Sequence, residues 1–150
     1  MNSIEDACKI ETKIVDSLVI VNMTLKDIEI TDLRMMKFIN YFKLLMDDLN
    51  DDRIQSFAFV FDIRVIKILP TQYIKEITET LQKHKSILLK KLKYSCVVSN
   101  PIIIAPFKLI LKQFYIPIRP LFLCTSIEET KQYENLTDTE LNNNKKKYVQ

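Results

Sequence analysis

The sequence predicts a single α/β domain built on a mixed, mostly parallel β-sheet. Three observations carry that reading: β-branched runs alternate with segments of helical period, the first two runs lie close enough to form a hairpin, and neither a linker nor an internal repeat divides the 150 residues. A chain of this length buries roughly 68–70% of its unfolded surface, enough for one core. The predicted order is β-β-α-β-α-β-α-β-α, a hairpin followed by crossovers that place later strands parallel.

Residues 9–15 and 18–23 are the opening strands, with Asp16-Ser17 as a two-residue turn. Thr31-Asp32 is an N-cap pair, and Leu33, Met36, Phe38, Ile39, Phe42, Leu45, Met46 and Leu49 then recur at helical spacing as far as Asn50. Residues 57–61, Phe-Ala-Phe-Val-Phe, form a continuous apolar run ending in Asp62, the pattern of a strand buried on both faces. Ile66, Ile68 and Leu69 extend it toward Pro70. Thr71 opens a second helix reaching about Lys91, with Ile74, Ile77, Leu81 and Leu88 inward and lysines outward.

Residues 94–99 are the next strand, bounded by Asn100-Pro101. A third helix runs to about Tyr115 with Pro106 in its first turn, where the missing N–H does no harm. Pro117 and Pro120 bracket a connector to the last strand at 121–124. Ser126 caps a final helix carrying Glu128 and Glu129 where acid suits the dipole. The domain is expected to span 8–135, with residues 1–7 flexible and 136–150 a polar, disordered tail.

Composition removes whole classes of function. There is no glycine, so phosphate-cradling loops, dinucleotide fingerprints and nucleophile elbows are excluded. His84 is the only histidine and cannot build a multi-histidine metal site. Asp62 at a strand end has no histidine or paired carboxylate to work with, and Asp62 with Arg64 reads as a structural pair. No catalytic residue, metal or cofactor is expected. Cys8, Cys96 and Cys124 are odd in number, lack C-x-x-C spacing and sit in apolar runs, as small buried hydrophobes of a reducing compartment do. The polar, acidic N-terminus is not a signal peptide, and no run reaches the roughly 20 apolar residues of a spanning helix, so a cytoplasmic location is expected. Abundant isoleucine, lysine and asparagine point to an A/T-rich coding sequence.

Charge is unevenly spread. Residues 1–63 carry seven basic and twelve acidic side chains, residues 64–119 eleven and two, and residues 120–150 four and five. The excess gathers at Lys83, Lys85, Lys90, Lys91 and Lys93, with Lys108 and Lys112 one turn apart on the third helix. A solvated helix face accounts for such a run; so does a patch for an acidic partner or an anionic membrane. Nucleic acid ranks below both, because only Arg64 and Arg119 supply guanidinium groups in this region. The third helix has a second peculiarity: between residues 102 and 118 only Lys108, Lys112 and Gln113 are polar. Its Ile103, Ile104, Phe107, Leu111 and Phe114 form an arc wide enough either to meet a partner, a lipid or a second copy of the chain, or to be covered by the connector at 116–120.

The string Phe59-Val60-Phe61-Asp62-Ile63-Arg64, the apolar step at Ile66 and Ile68, and Pro70-Thr71 opening a helix resemble the core of STAS domains, the anti-sigma-factor antagonist and sulfate-transporter C-terminal family. The likeness covers roughly residues 8–135. It implies a non-enzymatic regulatory module that binds a protein partner around Asp62, Arg64, Thr71 and Tyr73. Thr71 stands where that family carries a phosphorylatable serine, as phospho-acceptor or plain helix cap, in a loop that lacks the family's glycine. The passage Ser99-Asn100-Pro101-Ile102-Ile103, then Phe107-Lys108-Leu109-Ile110, is similar to the CRAL-TRIO lipid-transfer core, which implies contact with lipid or an anionic membrane surface as the alternative.

Overall fold

A computed structural model of the chain describes residues 8–26, 31–68, 71–114 and 117–144, less the side chain of Phe114. Its first two strands, β1 (Cys8–Val15) and β2 (Leu18–Leu25), pair antiparallel along their whole length. The Asp16-Ser17 turn between them has both residues at positive φ, 47° and 73°, as a type I′ hairpin requires. Aspartate tolerates that region better than most residues, which lets a glycine-free chain make the turn.

Strands β3 (Ser56–Asp62), β4 (Leu92–Val98) and β5 (Leu121–Cys124) add in parallel, giving the five-stranded order β1-β2-β3-β4-β5. This is the expected single α/β domain with a mixed, mostly parallel sheet. Strictly sequential order has a consequence: right-handed crossovers all advancing one way place every crossover helix on the same face. The front face, with Val21, Met23, Phe57 and Phe59, is accordingly covered by α1 (Asp32–Leu49), α2 (Thr71–Lys83), α3 (Lys85–Lys91) and α4 (Pro101–Phe114). The back face, with Ile20, Ala58, Val60, Cys96 and Phe122, is left to α5 (Ile127–Lys131), α6 (Asp138–Asn142) and the turn between them. There Tyr133 stacks on Phe122 with ring centroids 3.9 Å apart. Because β3 is covered on both sides, its continuous apolar run is explained.

Several elements depart from the sequence expectation for local physical reasons. Thr31 caps α1 as expected, its hydroxyl accepting from Arg34 N at 3.2 Å, but Leu33 and Met36 are exposed and Met35 is buried. At about 100° per residue Leu33 points directly away from Phe42, whereas Met35 lies on the same stripe. The expected long helix from Thr71 to Lys91 breaks at His84, which is half-buried and non-helical at φ −103°, ψ 23°. Before the break, Thr78 and Thr80 turn their hydroxyls onto the carbonyls of Lys75 and Glu76, and the His84 ring Nδ1 lies 2.9 Å from Thr80 O. Such side-chain bonds compete with the helical ladder and bend it. The strand after it begins at Leu92, two residues earlier than expected, and one extra residue between Leu92 and Ser95 forms a bulge against β3.

Pro101, not Pro106, occupies the first turn of α4, with Asn100 Oδ1 accepting from Ile102 N at 3.1 Å, and Pro106 lies inside the helix. Ser126 caps α5 by accepting from Glu129 N at 3.3 Å. The described chain does not stop at 135. Thr137 and Glu140 close a capping box at the start of α6, and Leu141 is buried against the back face, so residues 136–144 belong to the fold. Residues 1–7 and 145–150, expected to be flexible, lie outside the described residues. No described helix is long and apolar enough to cross a membrane.

Candidate functional site

The parallel strands give the molecule two distinct ends. At their C-terminal end, Asp62 closes β3 almost fully buried, and its carboxylate takes a bidentate pair from Arg64, at 2.7 Å from Nη2 and 3.0 Å from Nε, plus the Arg64 backbone N–H at 3.2 Å. Donating to the Asp62 carboxylate raises the Arg64 guanidinium above its ordinary range. The two residues thus fasten the loop leaving β3, as the sequence suggested. Tyr73, in the first turn of α2, is buried and its hydroxyl donates to the Asp32 carboxylate at the start of α1, tying those two helix starts together. Thr71 is exposed and is the first helical residue, while residue 70, where a cap would stand, lies outside the described residues.

Of the four residues expected to bind a partner, Asp62 and Tyr73 are therefore buried and hold the scaffold, and Arg64 and Thr71 face outward. Large exposed apolar side chains gather at this same end. Ile68 in the loop after β3 is 87% exposed, Ile102 at the start of α4 is 81% exposed, and Leu33 and Met36 lie in the opening turns of α1. Lys26 and Lys67 are exposed on the loops at this end, and Arg64 is held there by Asp62.

Inside the front layer an elongated apolar cavity of about 110 Å³, partly open, runs between α1, α2, α4 and the sheet. Phe38, Tyr73, Ile77, Leu81, Phe107 and Leu111 form much of its wall. Ser95 in β4 explains part of the space: Val97 continues the row of Met23 and Phe61 across the sheet, but Ser95, in register with Phe59, contributes only a hydroxymethyl group. Arg119, just ahead of β5, lines one end.

At the opposite, N-terminal end of the strands lies a polar recess of about 260 Å³ lined by Ser56, Lys90, Lys91, Lys93, Arg119 and Asp138 among others. This gathers only part of the expected basic patch. Lys91 is a correction, because it is buried and its Nζ donates to Leu49 O at 3.3 Å and Asp51 O at 2.8 Å. Helix α1 has no basic residue in its own last turn, and Lys91 brings a cation to its C-terminal carbonyls from another element. Lys93 pairs with Asp138 at 2.9 Å. Lys83 and Lys85 are exposed beside the His84 break, and Lys108 and Lys112 are exposed on α4, outside the recess.

The expected apolar face of α4 is also corrected. Ile103, Phe107 and Leu111 are buried in the front core and Ile104 is half-buried, so the wide arc is largely used inward. Ile102 and Leu109 are what the helix exposes, and the side chain of Phe114 lies outside the described residues. None of the three cysteines is in a disulfide and all are buried, as their apolar settings suggested. Burial pushes the Cys8 thiol up to about 12 and raises Cys96 as well, so neither is ionised at neutral pH. No group of three or more histidine, cysteine, aspartate or glutamate side chains capable of holding a metal occurs among the described residues.

Sequence reading overlooked Arg119 and Ser95. The signal for Ser95 was a small residue at a sheet position where bulk is usual; Arg119, flanked by Ile118 and Pro120, gave none beyond its charge. No known protein family and no curated protein matches the chain.

Proposed function

We propose that the protein is a non-enzymatic, STAS-like interaction module that docks a protein partner on the end of the domain where the parallel strands finish. The observation that carries this reading is that four of the eight large exposed apolar side chains among the described residues, Ile68, Ile102, Leu33 and Met36, lie in the loops and helix starts at one end of the domain. Large apolar side chains ringed by charge are the composition of an interface centre with a polar rim. Lys26 and Lys67, exposed on the loops at the same end, favour a partner segment with an apolar anchor and acidic flanks. The hairpin-first succession of elements supports the STAS-like part of the reading.

The test is affinity capture from the native cell with the intact chain and with an Ile68→Glu/Ile102→Glu variant, its fold checked by circular dichroism. A protein retained by the former and lost from the latter is expected. Equal retention by both would remove this surface from consideration.

A second reading rests on α4, where Leu109, 64% exposed, stands beside Lys108 and one turn from Lys112, a pattern that suits an anionic membrane surface. Flotation with vesicles rich in anionic lipid separates the two. Binding abolished by charge reversal at Lys108 and Lys112 favours the membrane, and no binding rules it out.

A further inference from the structure

The apolar cavity and the basic recess meet at one side chain, because Arg119 lines both. Its Nη2 donates to Leu89 O at 2.6 Å, while its Nε is buried without a hydrogen-bond partner. A buried N–H of a charged group left without an acceptor is a standing cost, relieved when an acceptor arrives. A guanidinium is suited to a carboxylate, and with Nη2 turned to Leu89 O the donor awaiting one is Nε.

The space on the apolar side fixes the rest of the ligand. A cavity of about 110 Å³ is somewhat smaller than the roughly 150 Å³ apolar cavity that admits benzene in another protein, so it suits an apolar body of about five carbons. Its walls are chiefly aliphatic and aromatic; of the polar side chains among them Thr78 donates to Lys75 O and Tyr73 to Asp32, and Ser95 offers a single hydroxyl. A strongly hydroxylated or doubly charged molecule would lose its hydration there without replacement. On the recess side, Lys90 and Lys93 share the field with Arg119, and the one carboxylate, Asp138, is held by Lys93.

We propose that the protein binds a small amphipathic monocarboxylate, its apolar body in the cavity under α2 and α4 and its carboxylate on Arg119. This site lies inside the front layer and does not depend on the docking surface at the end of the strands.

Calorimetric titration of the intact chain with hexanoate tests it, with 1-hexanol as an uncharged alcohol of the same carbon number and acetate as the same charge without a body. Saturable binding of hexanoate at millimolar concentration or below is expected, about tenfold or more tighter than either control. Arg119→Gln should weaken hexanoate by about tenfold and leave hexanol unchanged. Ser95→Val, which fills the cavity with a residue that suits a strand, should block hexanoate and hexanol alike while Lys90→Gln, on the exposed side of the recess, weakens only hexanoate. Four results overturn the proposal: no hexanoate binding, hexanol binding as tightly as hexanoate, unchanged hexanoate affinity in a folded Arg119→Gln variant, or binding untouched by both Ser95→Val and Lys90→Gln. The last pair keeps the test decisive should Arg119→Gln fail to fold.

Discussion

Lys91 stands in a lysine-rich stretch, and nothing in its immediate neighbours separates it from Lys90 or Lys93. In the fold Lys90 is exposed, Lys93 reaches Asp138, and Lys91 runs inward to the carbonyls of Leu49 and Asp51. The difference is where each residue falls on its element, Lys90 and Lys91 on different sides of the last turn of α3 and Lys93 in β4, which is decided by how α3 packs and not by local composition. Lys91→Met keeps the aliphatic stem and removes the ammonium, leaving the end of α1 without its cation. Stability should fall by about 1–3 kcal/mol in urea unfolding. A change no larger than that of Lys90→Met would show that the buried contact contributes nothing. The same lesson applies to Asp62 and Arg64, which were legible as a pair because two residues of one turn face each other regardless of the rest of the fold.

Among elements, the hairpin, α1, β3 and α5 follow from short-range rules. Two turn residues at positive φ, a threonine hydroxyl three residues before an amide, a doubly covered apolar run and a serine cap each act within a few residues. The break at His84 and the helix α6 were not foreseen. The break depends on Thr78 and Thr80 choosing backbone carbonyls over solvent, and the choice is made by burial of both. Helix α6 is five residues long, too short for an apolar period, and exists because a capping box starts it and Leu141 anchors it beside Tyr133 on the back face. Leu141→Ala should therefore cost about 2–5 kcal/mol, as for a core leucine. It should also open the C-terminal segment to protease well before the rest of the domain. A loss near zero would return residues 136–144 to the status of a tail.

For the whole molecule, the sheet's two faces hold ionisable groups in their neutral forms. Burial raises Cys8 and Cys96 above the ordinary thiol value of 9.0, and raises Tyr94 and Tyr133 above the ordinary phenol value of 10.0. Each is an acid whose folded pKa exceeds its unfolded one, so the unfolded chain gives up its protons first as pH climbs. The stability these groups contribute is fully present below about 9 and is lost progressively above it. Thermal unfolding should show a plateau near neutrality and a fall in Tm between about pH 9 and 11, smaller in a Cys8→Ala variant. An unchanged Tm across that range would mean the thiols and phenols ionise freely in the folded state.

The sequence by itself determined the class of the domain, the alternation of its elements, the hairpin, the caps and the exclusion of glycine-dependent nucleotide loops, since each rests on residues near one another in the chain. Tertiary structure alone decided which side of the sheet each helix covers, which lysine is buried, that the apolar arc of α4 turns inward, and that a cavity ends on Arg119. Those outcomes depend on strand order and on side chains tens of residues apart, and the packing that joins Ser95, Leu111 and Arg119 around one space has no period or spacing to read.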